Sequence, residues 1–179
     1  MPCSLPEFGL PLLLALTCVG ADGASVGLIR QGWVSGVHFL PTYVFGTSGW
    51  LQSALEIVNG PALAMGFRLG PIDGDILSDD VDVSQWDQVD AIMSGPPCPP
   101  WSSMGHHAGR DDDRARVFDR VTDLIASQGH KGCYLSIVEM VLRFDHKRQW
   151  EQWVAQITAR APMWRCPPLL LSSRDYLLA

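Results

Sequence analysis

The sequence predicts an α/β fold in which a parallel sheet is flanked by helices. Short apolar runs with the character of buried strands alternate along the chain with amphipathic segments of helical periodicity. This alternation is typical of parallel sheets whose strands are joined through helices. The 179 residues suffice for one core, and 47% hydrophobic with 18% charged residues is the composition of a globular protein. We therefore predict a single domain over residues 1–179.

The first half of the chain begins with an apolar run. Leu10–Cys18 contains no charged residue and precedes several small residues, which predicts a buried strand, a turn and a short helix to about Gly32. We predict the next strand at Ser53–Val58 and a helix from about Pro61. The stretch at about 33–50 is aromatic, rich in turn residues and free of Asp, Glu, Lys and Arg. We interpret it as a surface insertion, or as a segment that does not belong to the ancestral domain.

The second half repeats the alternation more clearly. Val89–Met93 is an apolar strand that a Gly-Pro-Pro sequence ends, and Cys133–Val138 is a second strand of the same kind. Asp113–Ser127 and His146–Arg160 have apolar residues at helical spacing, which predicts two helices that each bury one face.

The charge and the cysteines limit the functional classes. The net charge is −6, so any surface that binds nucleic acid is local. The five cysteines are scattered without a C-x-x-C pair, which argues against a zinc cluster or a disulfide scaffold. The apolar run Leu10–Leu16 is too short to span a bilayer, and no basic residue precedes it, the first being Arg30. We disfavour a cleaved signal peptide and expect an intracellular protein, nuclear or cytoplasmic, without a membrane partner.

A single cysteine lies among prolines directly after the predicted strand at Val89–Met93. The motif Gly95-Pro96-Pro97-Cys98-Pro99-Pro100-Trp101-Ser102 places Cys98 between residues whose φ is fixed. The backbone then presents the thiol instead of packing it in a core, although a buried, inert cysteine is the alternative interpretation. Attack by a thiol requires the thiolate form. We predict that Cys98 is a nucleophile.

This motif resembles the Pro-Cys loop of the C5-cytosine DNA methyltransferases, whose usual form is G-P-P-C-Q-P-F-S. Pro99 replaces the Gln and Trp101 replaces the Phe. The segment 134–141 is similar to the family's strand ending in Glu-Asn-Val, so Glu139 carries over while Met140 replaces the Asn. The resemblance covers roughly residues 10–179 and implies a Rossmann-like, S-adenosylmethionine-dependent methyltransferase domain.

The resemblance also extends to the family's cofactor-binding segments. Residues 16–23 are similar to the loop D-L-F-x-G-x-G-G, residues 54–58 to the acidic strand end that binds ribose, and residues 74–76 to the turn that binds adenine. The contacts to S-adenosylmethionine that this implies are Cys18, Gly20, Gly23, Glu56, Asp75, Ile76 and Pro97.

The resemblance implies covalent catalysis on a cytosine flipped out of duplex DNA. Cys98 would add to C6 of the base, while a protonated Glu139 would hydrogen-bond N3 and the exocyclic amine. C5 would then accept the methyl group of S-adenosylmethionine, and loss of the C5 proton with elimination of Cys98 would release 5-methylcytosine.

Several interpretations remain open beside this one. Residues 174–179 resemble the lead-in to the family's Q-x-R-x-R element, so we expect that element and the target-recognition region outside this sequence, and the domain to be incomplete at its C-terminus. The chain is then either an active DNA methyltransferase or a catalytically silent fragment, with a relative that methylates cytosine in tRNA as a further alternative. A metal site of Cys98, His106, His107 and Cys133 lacks zinc-type spacing, and we predict no metal. The sequence does not indicate an oligomeric state.

Overall fold

The computed structural model of the chain describes residues 12–17, 39–46, 51–58, 60–64, 66, 68, 72–101, 108–140 and 149–165. The described strands are β1 (Leu12–Thr17), β2 (Phe39–Phe45), β3 (Ile72–Asp73), β4 (Ala91–Ser94) and β5 (Leu135–Val138). The described α-helices are α1 (Leu51–Val58), α2 (Gly60–Ala64), α3 (Ala115–Lys131) and α4 (Gln149–Arg160). A short 3-10 helix, Gly109–Asp111, precedes α3.

The described strands form one parallel sheet in the order β3-β2-β1-β4-β5. At its centre, the side chains of β1 from Leu14 to Thr17 are fully buried. Parallel strands are joined by crossovers that place helices on the faces of the sheet, so a central strand is covered on both sides. The predicted α/β fold with a helix-flanked parallel sheet is confirmed.

Alternate residues of the central strands belong to two separate cores. Ala15 of β1 and Ile92 of β4 pack in one cluster with residues of α3 and α4, among them Phe118. Their neighbours in sequence, such as Leu16, pack in a second cluster with Leu55 of α1. Because successive side chains of a strand point to opposite faces, the sheet carries α1 on one face and α3 with α4 on the other.

Strand β2 lies inside the stretch that the sequence suggested was an insertion. Its residues 39–45 pair with β1 and are mostly buried, so the prediction of a surface insertion is wrong there. The strand contains Pro41, which cannot donate to the ladder and usually argues against an inner strand. The register shifts after Leu14, and the Thr42 hydroxyl donates to the Leu14 carbonyl oxygen at 3.3 Å. This bulge accommodates the proline.

The predicted strand at Ser53–Val58 is wrong, because these residues belong to helix α1. Leu55 is fully buried, whereas Ile57 is 77% exposed. A short apolar run does not distinguish a strand from a helix by itself, and here the packing of Leu55 against the sheet decides. The prediction of a single domain over residues 1–179 stays a prediction, and the helix predicted to end near Gly32 lies outside the described residues.

The four elements predicted for the second half are confirmed with shifted boundaries. β4 and β5 begin two residues later than the sequence suggested, and α3 extends to Lys131. That helix ends because Gly132 adopts a left-handed φ of 99°, from which its N–H reaches the carbonyls of Gln128 and Gly129. Among the described residues, no helix is long and apolar enough to cross a membrane.

Gly129 lies where α3 contacts the indole ring of Trp164. The Trp164 Nε1–H donates to the carbonyl oxygen of Ile125 at 3.0 Å, and a Cβ on Gly129 would overlap the ring. Alanine in a helix interior normally stabilises by about 1 kcal/mol relative to glycine. For Gly129→Ala we expect the opposite, a decrease of about 1–3 kcal/mol in the free energy of unfolding, because the ring must move. Urea denaturation followed by circular dichroism measures the change.

The control for this prediction removes the ring itself. In a Trp164→Leu background, Gly129→Ala should leave the free energy of unfolding unchanged or raise it, because the overlapping ring is gone. An equal loss of stability in both backgrounds would contradict the explanation by overlap.

Candidate active site

The segments that follow β3, β4 and β5 carry three of the predicted site residues. Asp75 follows β3, Cys98 follows β4, and Glu139 follows β5 directly. Because all these strands are parallel, their carboxyl ends meet at one edge of the sheet, which is where ligands bind in open α/β folds. The structure therefore brings Asp75, Cys98 and Glu139 to the same edge.

Cys98 and Glu139 come from neighbouring strands. In the β4–β5 pair Ser94 lies opposite Val138, and the backbone N–H of Glu139 donates to the Ser94 carbonyl oxygen at 2.9 Å. Glu139 is exposed and Cys98 is half-buried, so both side chains are accessible at this edge. The thiol and the carboxyl group thus follow two strands that are neighbours in the sheet, with a strand spacing of about 5 Å.

Two buried hydroxyl groups join the ends of β1 and β4. The Thr17 hydroxyl donates to the Ser94 hydroxyl at 2.8 Å, and both residues are almost fully buried. The N–H of Gly95 donates to the Thr17 carbonyl oxygen at 3.3 Å. With the bond from Glu139 to Ser94, these contacts hold three strand ends together at the candidate site. Sequence reasoning missed this pair, although a hydroxyl residue at the last position of each of two apolar strands is the signal that marks it.

The backbone of the Pro-Cys loop is fixed by a turn around Cys98. Pro96 and Pro100 are buried, and the N–H of Trp101 donates to the Cys98 carbonyl oxygen at 2.9 Å. Trp101 is 5% exposed, and its ring centroid lies 5.5 Å from that of Phe118 in α3. The Cys98 thiol is not part of a disulfide. The loop thus presents a half-buried thiol on a backbone that is anchored in the core.

Asp75 and Ile76 follow β3 in a turn. Asp75 Oδ1 accepts the N–H of Leu77 at 2.8 Å, and the exposed carboxylate is held by this contact. Ile76 is 3% exposed and packs in the core with Trp86, so only its main chain is available to a ligand. Pro97 is half-buried in the Pro-Cys loop.

Four of the predicted cofactor contacts are not placed at this edge by the structure. Glu56 is an exposed residue of α1, so the strand-end position that the resemblance gave it is wrong. The physical reason is that β2 ends at Phe45, and the chain has turned into a helix before it reaches Glu56. Cys18, Gly20 and Gly23 lie outside the described residues.

Cys133 lies at the opposite edge of the sheet from Cys98. It precedes β5, and its thiol donates to the carbonyl oxygens of Asp90 and Leu135 at 3.4 Å. Burial raises the pKa of the Cys133 thiol to about 11, so the thiol is protonated at neutral pH and is not a nucleophile. Cys98 follows its strand and Cys133 precedes its strand, at opposite ends, and His106 and His107, the other members of the alternative metal site, lie outside the described residues. Within the described ranges, no three His, Cys, Asp or Glu side chains form a cluster that could hold a metal ion.

A cavity of about 380 Å³ lies away from this edge, against α3 and α4. Its lining includes Asp123, His130 and Arg160. Arg160 Nη1 donates to Asp123 Oδ1 at 2.7 Å, and His130 Nε2 lies 2.6 Å from the Arg160 carbonyl oxygen. These polar groups already have partners within the protein, and we assign no catalytic role to the cavity.

Comparison with known proteins identifies the family. Residues 63–176, more than half of the 179-residue chain, match the C-5 cytosine-specific DNA methylase family. The chain is also 31% identical over 100 residues to the type II methyltransferase M.NgoMIV of Neisseria gonorrhoeae. That match covers 54% of this chain and 26% of the relative, so the chain spans about a quarter of the relative's length. Asp75, Cys98 and Glu139 all lie within the family match. The chain, with its helix-flanked parallel sheet and its Pro-Cys loop, belongs to the C-5 cytosine-specific DNA methylase family.

Proposed function

We propose that this chain carries the catalytic residues of a DNA cytosine-5 methyltransferase that uses S-adenosylmethionine and forms a covalent bond through Cys98. The single observation that supports this most strongly is the half-buried Cys98 on its proline-bounded loop, beside the strand that Glu139 follows. The family membership supports the same reaction class.

Cytosine is a poor electrophile. Cys98 supplies a strong nucleophile, and Glu139 supplies a hydrogen-bond donor that stabilises the charge formed when the ring is attacked. The Cys98 thiolate forms a bond to C6, and the electron pair of the C5–C6 double bond is delocalised over C5, C4 and N3. Glu139, in its protonated form, donates a hydrogen bond to N3 and so stabilises the charge that develops there. C5 becomes nucleophilic and would take the methyl group of S-adenosylmethionine as its bond to sulfur breaks, which would leave S-adenosylhomocysteine. A base then removes the C5 proton, and the electron pair of that bond re-forms the C5–C6 double bond as the bond between Cys98 and C6 breaks. The thiolate is regenerated.

The residues at the sheet edge fit S-adenosylmethionine as the methyl donor. The exposed Asp75 carboxylate, held by its turn, suits the exocyclic amine of an adenine ring. The ends of β3 and β4 are three strand spacings apart, about 14 Å, so an elongated ligand can reach from Asp75 to Pro97. When bound, S-adenosylmethionine supplies an electrophilic methyl group. Asp75, the main chain of Ile76 and Pro97 are the described residues that would hold it, with Cys18, Gly20 and Gly23 as further candidates.

The proposed substrate is a cytosine flipped out of duplex DNA, because neither C6 nor C5 can be approached on both sides within stacked bases. The net charge of −6 implies that contacts to the phosphate backbone are local. The proposed site of action is intracellular, in the nucleus or the cytoplasm, where DNA is available.

The test is methyl transfer from labelled S-adenosylmethionine to a GC-rich DNA duplex by the purified chain. We expect label in 5-methylcytosine after digestion to nucleosides, and no label in a matched duplex whose cytosines are already methylated at C5. A duplex that contains 5-fluorocytosine should form a covalent complex that survives denaturation, because fluorine at C5 cannot leave as a proton does. Transfer to tRNA and not to DNA would overturn the proposed substrate. A folded chain that binds S-adenosylmethionine and forms neither product would overturn the proposed activity.

A further inference from the structure

We propose that Gln149, at the start of α4, is a positioning residue that holds the nucleophile loop in place through the indole N–H of Trp101. This inference rests on the proposed function, because it concerns the placement of the thiol that the function uses. Trp101 stands where the family's usual motif has Phe, a side chain that cannot donate a hydrogen bond.

The contact between the two side chains is short and partly buried. Trp101 Nε1–H donates to Gln149 Oε1 at 2.7 Å, across 48 positions of the sequence. The indole of Trp101 is 5% exposed, so its N–H requires a partner within the protein. A tryptophan at this place in the loop is therefore accommodated because α4 supplies an acceptor.

Gly109 also lies close to the hydrogen bond between Trp101 and Gln149. The N–H of Gly109 donates to the Pro100 carbonyl oxygen at 2.9 Å, which closes the segment between Trp101 and Gly109 at its base. Gly109 has a φ of +58°, and a Cβ there would lie 3.6 Å from Gln149 Nε2 and 3.9 Å from Trp101 Nε1. Gly109 therefore lies beside the Trp101–Gln149 pair, and Trp101 itself stands three residues after Cys98.

Helix α4 is a rigid support for this contact. Trp153, one turn after Gln149, is 4% exposed, and its ring centroid lies 5.0 Å from that of Phe118. Phe118 also contacts Trp101, so one aromatic row connects α4, α3 and the nucleophile loop. Trp153 Nε1–H donates to the Thr122 hydroxyl of α3 at 2.9 Å, which fixes the helix further. These contacts connect the loop that carries the Cys98 thiol to the packed helices α3 and α4.

The alternative explanation is that the Trp101–Gln149 hydrogen bond only stabilises the fold. The reactivity of the buried Cys133 distinguishes this explanation from a positioning role. The rate at which iodoacetamide alkylates each cysteine is measured by mass spectrometry at the level of peptides. Cys133 is buried with a pKa of about 11, so its alkylation reports opening of the whole fold. Alkylation of Cys98 reports the local freedom of its loop.

We expect Gln149→Leu to accelerate alkylation of Cys98 by about fivefold and to leave Cys133 unchanged, because only the loop is released. Trp101→Phe should give the same change, and the double variant should add nothing, since both remove one contact. Gln149→Glu retains an acceptor oxygen and should restore the slow rate. Gln152→Leu, on an exposed position of the same helix, is the matched control and should react as the unaltered chain does.

In methyl transfer, Gln149→Leu should lower kcat by about tenfold with little change in the KM for DNA, because a displaced nucleophile slows the bond-forming step. The proposal is overturned if Cys98 and Cys133 accelerate together, if Cys98 does not respond, or if Gln149→Glu behaves as Gln149→Leu. The alkylation experiment requires no methyl transfer. A selective response of Cys98 in a chain that transfers no methyl group would support the positioning role and overturn the proposed function separately.

Discussion

Replacing Cys98 with serine is expected to reduce methyl transfer by about 10³-fold or more, because variants that lack the nucleophile retain only the contributions of binding and of the other groups. The substitution exchanges one atom at a half-buried position, so the fold should be unaffected. The measurement is the initial rate of label transfer from S-adenosylmethionine to duplex DNA, with thermal unfolding as the check on structure. The covalent complex with 5-fluorocytosine DNA should disappear as well.

Cys133→Ser is the matched control for the nucleophile. Its side chain is buried at the other edge of the sheet, and a serine hydroxyl can make the hydrogen bonds that the thiol makes to Asp90 and Leu135. Because burial raises the pKa of the Cys133 thiol to about 11, that thiol has no nucleophilic role at neutral pH. Methyl transfer should remain near that of the unaltered chain. A Cys98→Ser variant that keeps a tenth of the activity or more would show that another group is the nucleophile.

Replacing Gln128 with methionine is expected to lower the free energy of unfolding by about 2–5 kcal/mol. Gln128 is fully buried in α3; its Oε1 accepts the N–H of Val89 at 3.0 Å, and its Nε2 donates to the Asp87 carbonyl oxygen at 3.0 Å. Methionine has a similar shape, so little cavity forms, and the buried N–H of Val89 and the partly buried carbonyl oxygen of Asp87 lose their partner. Urea denaturation at pH 7 measures the effect.

The control for Gln128 lies on the neighbouring helix. Gln156 of α4 is exposed, and Gln156→Met should change the free energy of unfolding by no more than about 0.5 kcal/mol. Equal effects of the two substitutions would show that the loss at Gln128 arises from helix propensity or side-chain chemistry and not from the two hydrogen bonds to the segment before β4.

The proline-bounded loop around Cys98 could be predicted from the sequence because its conformation depends on residues that are adjacent in the chain. The prolines around Cys98 restrict φ whatever the rest of the fold does. The strand before the loop and the strand before Glu139 are short and mostly apolar runs, which is typical of strands in a parallel sheet. Parallel pairing then places both residues at one edge. The order of Asp75, Cys98 and Glu139 came from the resemblance to the family's motifs and not from a predicted strand before Asp75.

The sequence failed where several local conformations have similar energies and tertiary contacts choose among them. Residues 53–58 are as apolar as a strand, but the burial of Leu55 against the sheet selects a helix. Pro41 argues against a strand, but a bulge and the Thr42 hydroxyl accommodate it beside β1. The misplacement of Glu56 followed directly from these two errors, because its proposed role depended on the end of a strand.

The sequence by itself determined the alternation of strands and helices in the second half of the chain and the proline-bounded position of Cys98, because these follow from periodic hydrophobicity and local chain stiffness. Its motifs also resembled the family that the comparison identified. Only the tertiary structure decided which groups hold the site together. The hydroxyl pair joins residues 17 and 94, and the support of the nucleophile loop joins residues 101 and 149. Each of these hydrogen bonds forms between side chains that are distant in sequence. A local pattern can mark a hydroxyl residue at the end of a strand, but which residues meet depends on how strands and helices pack.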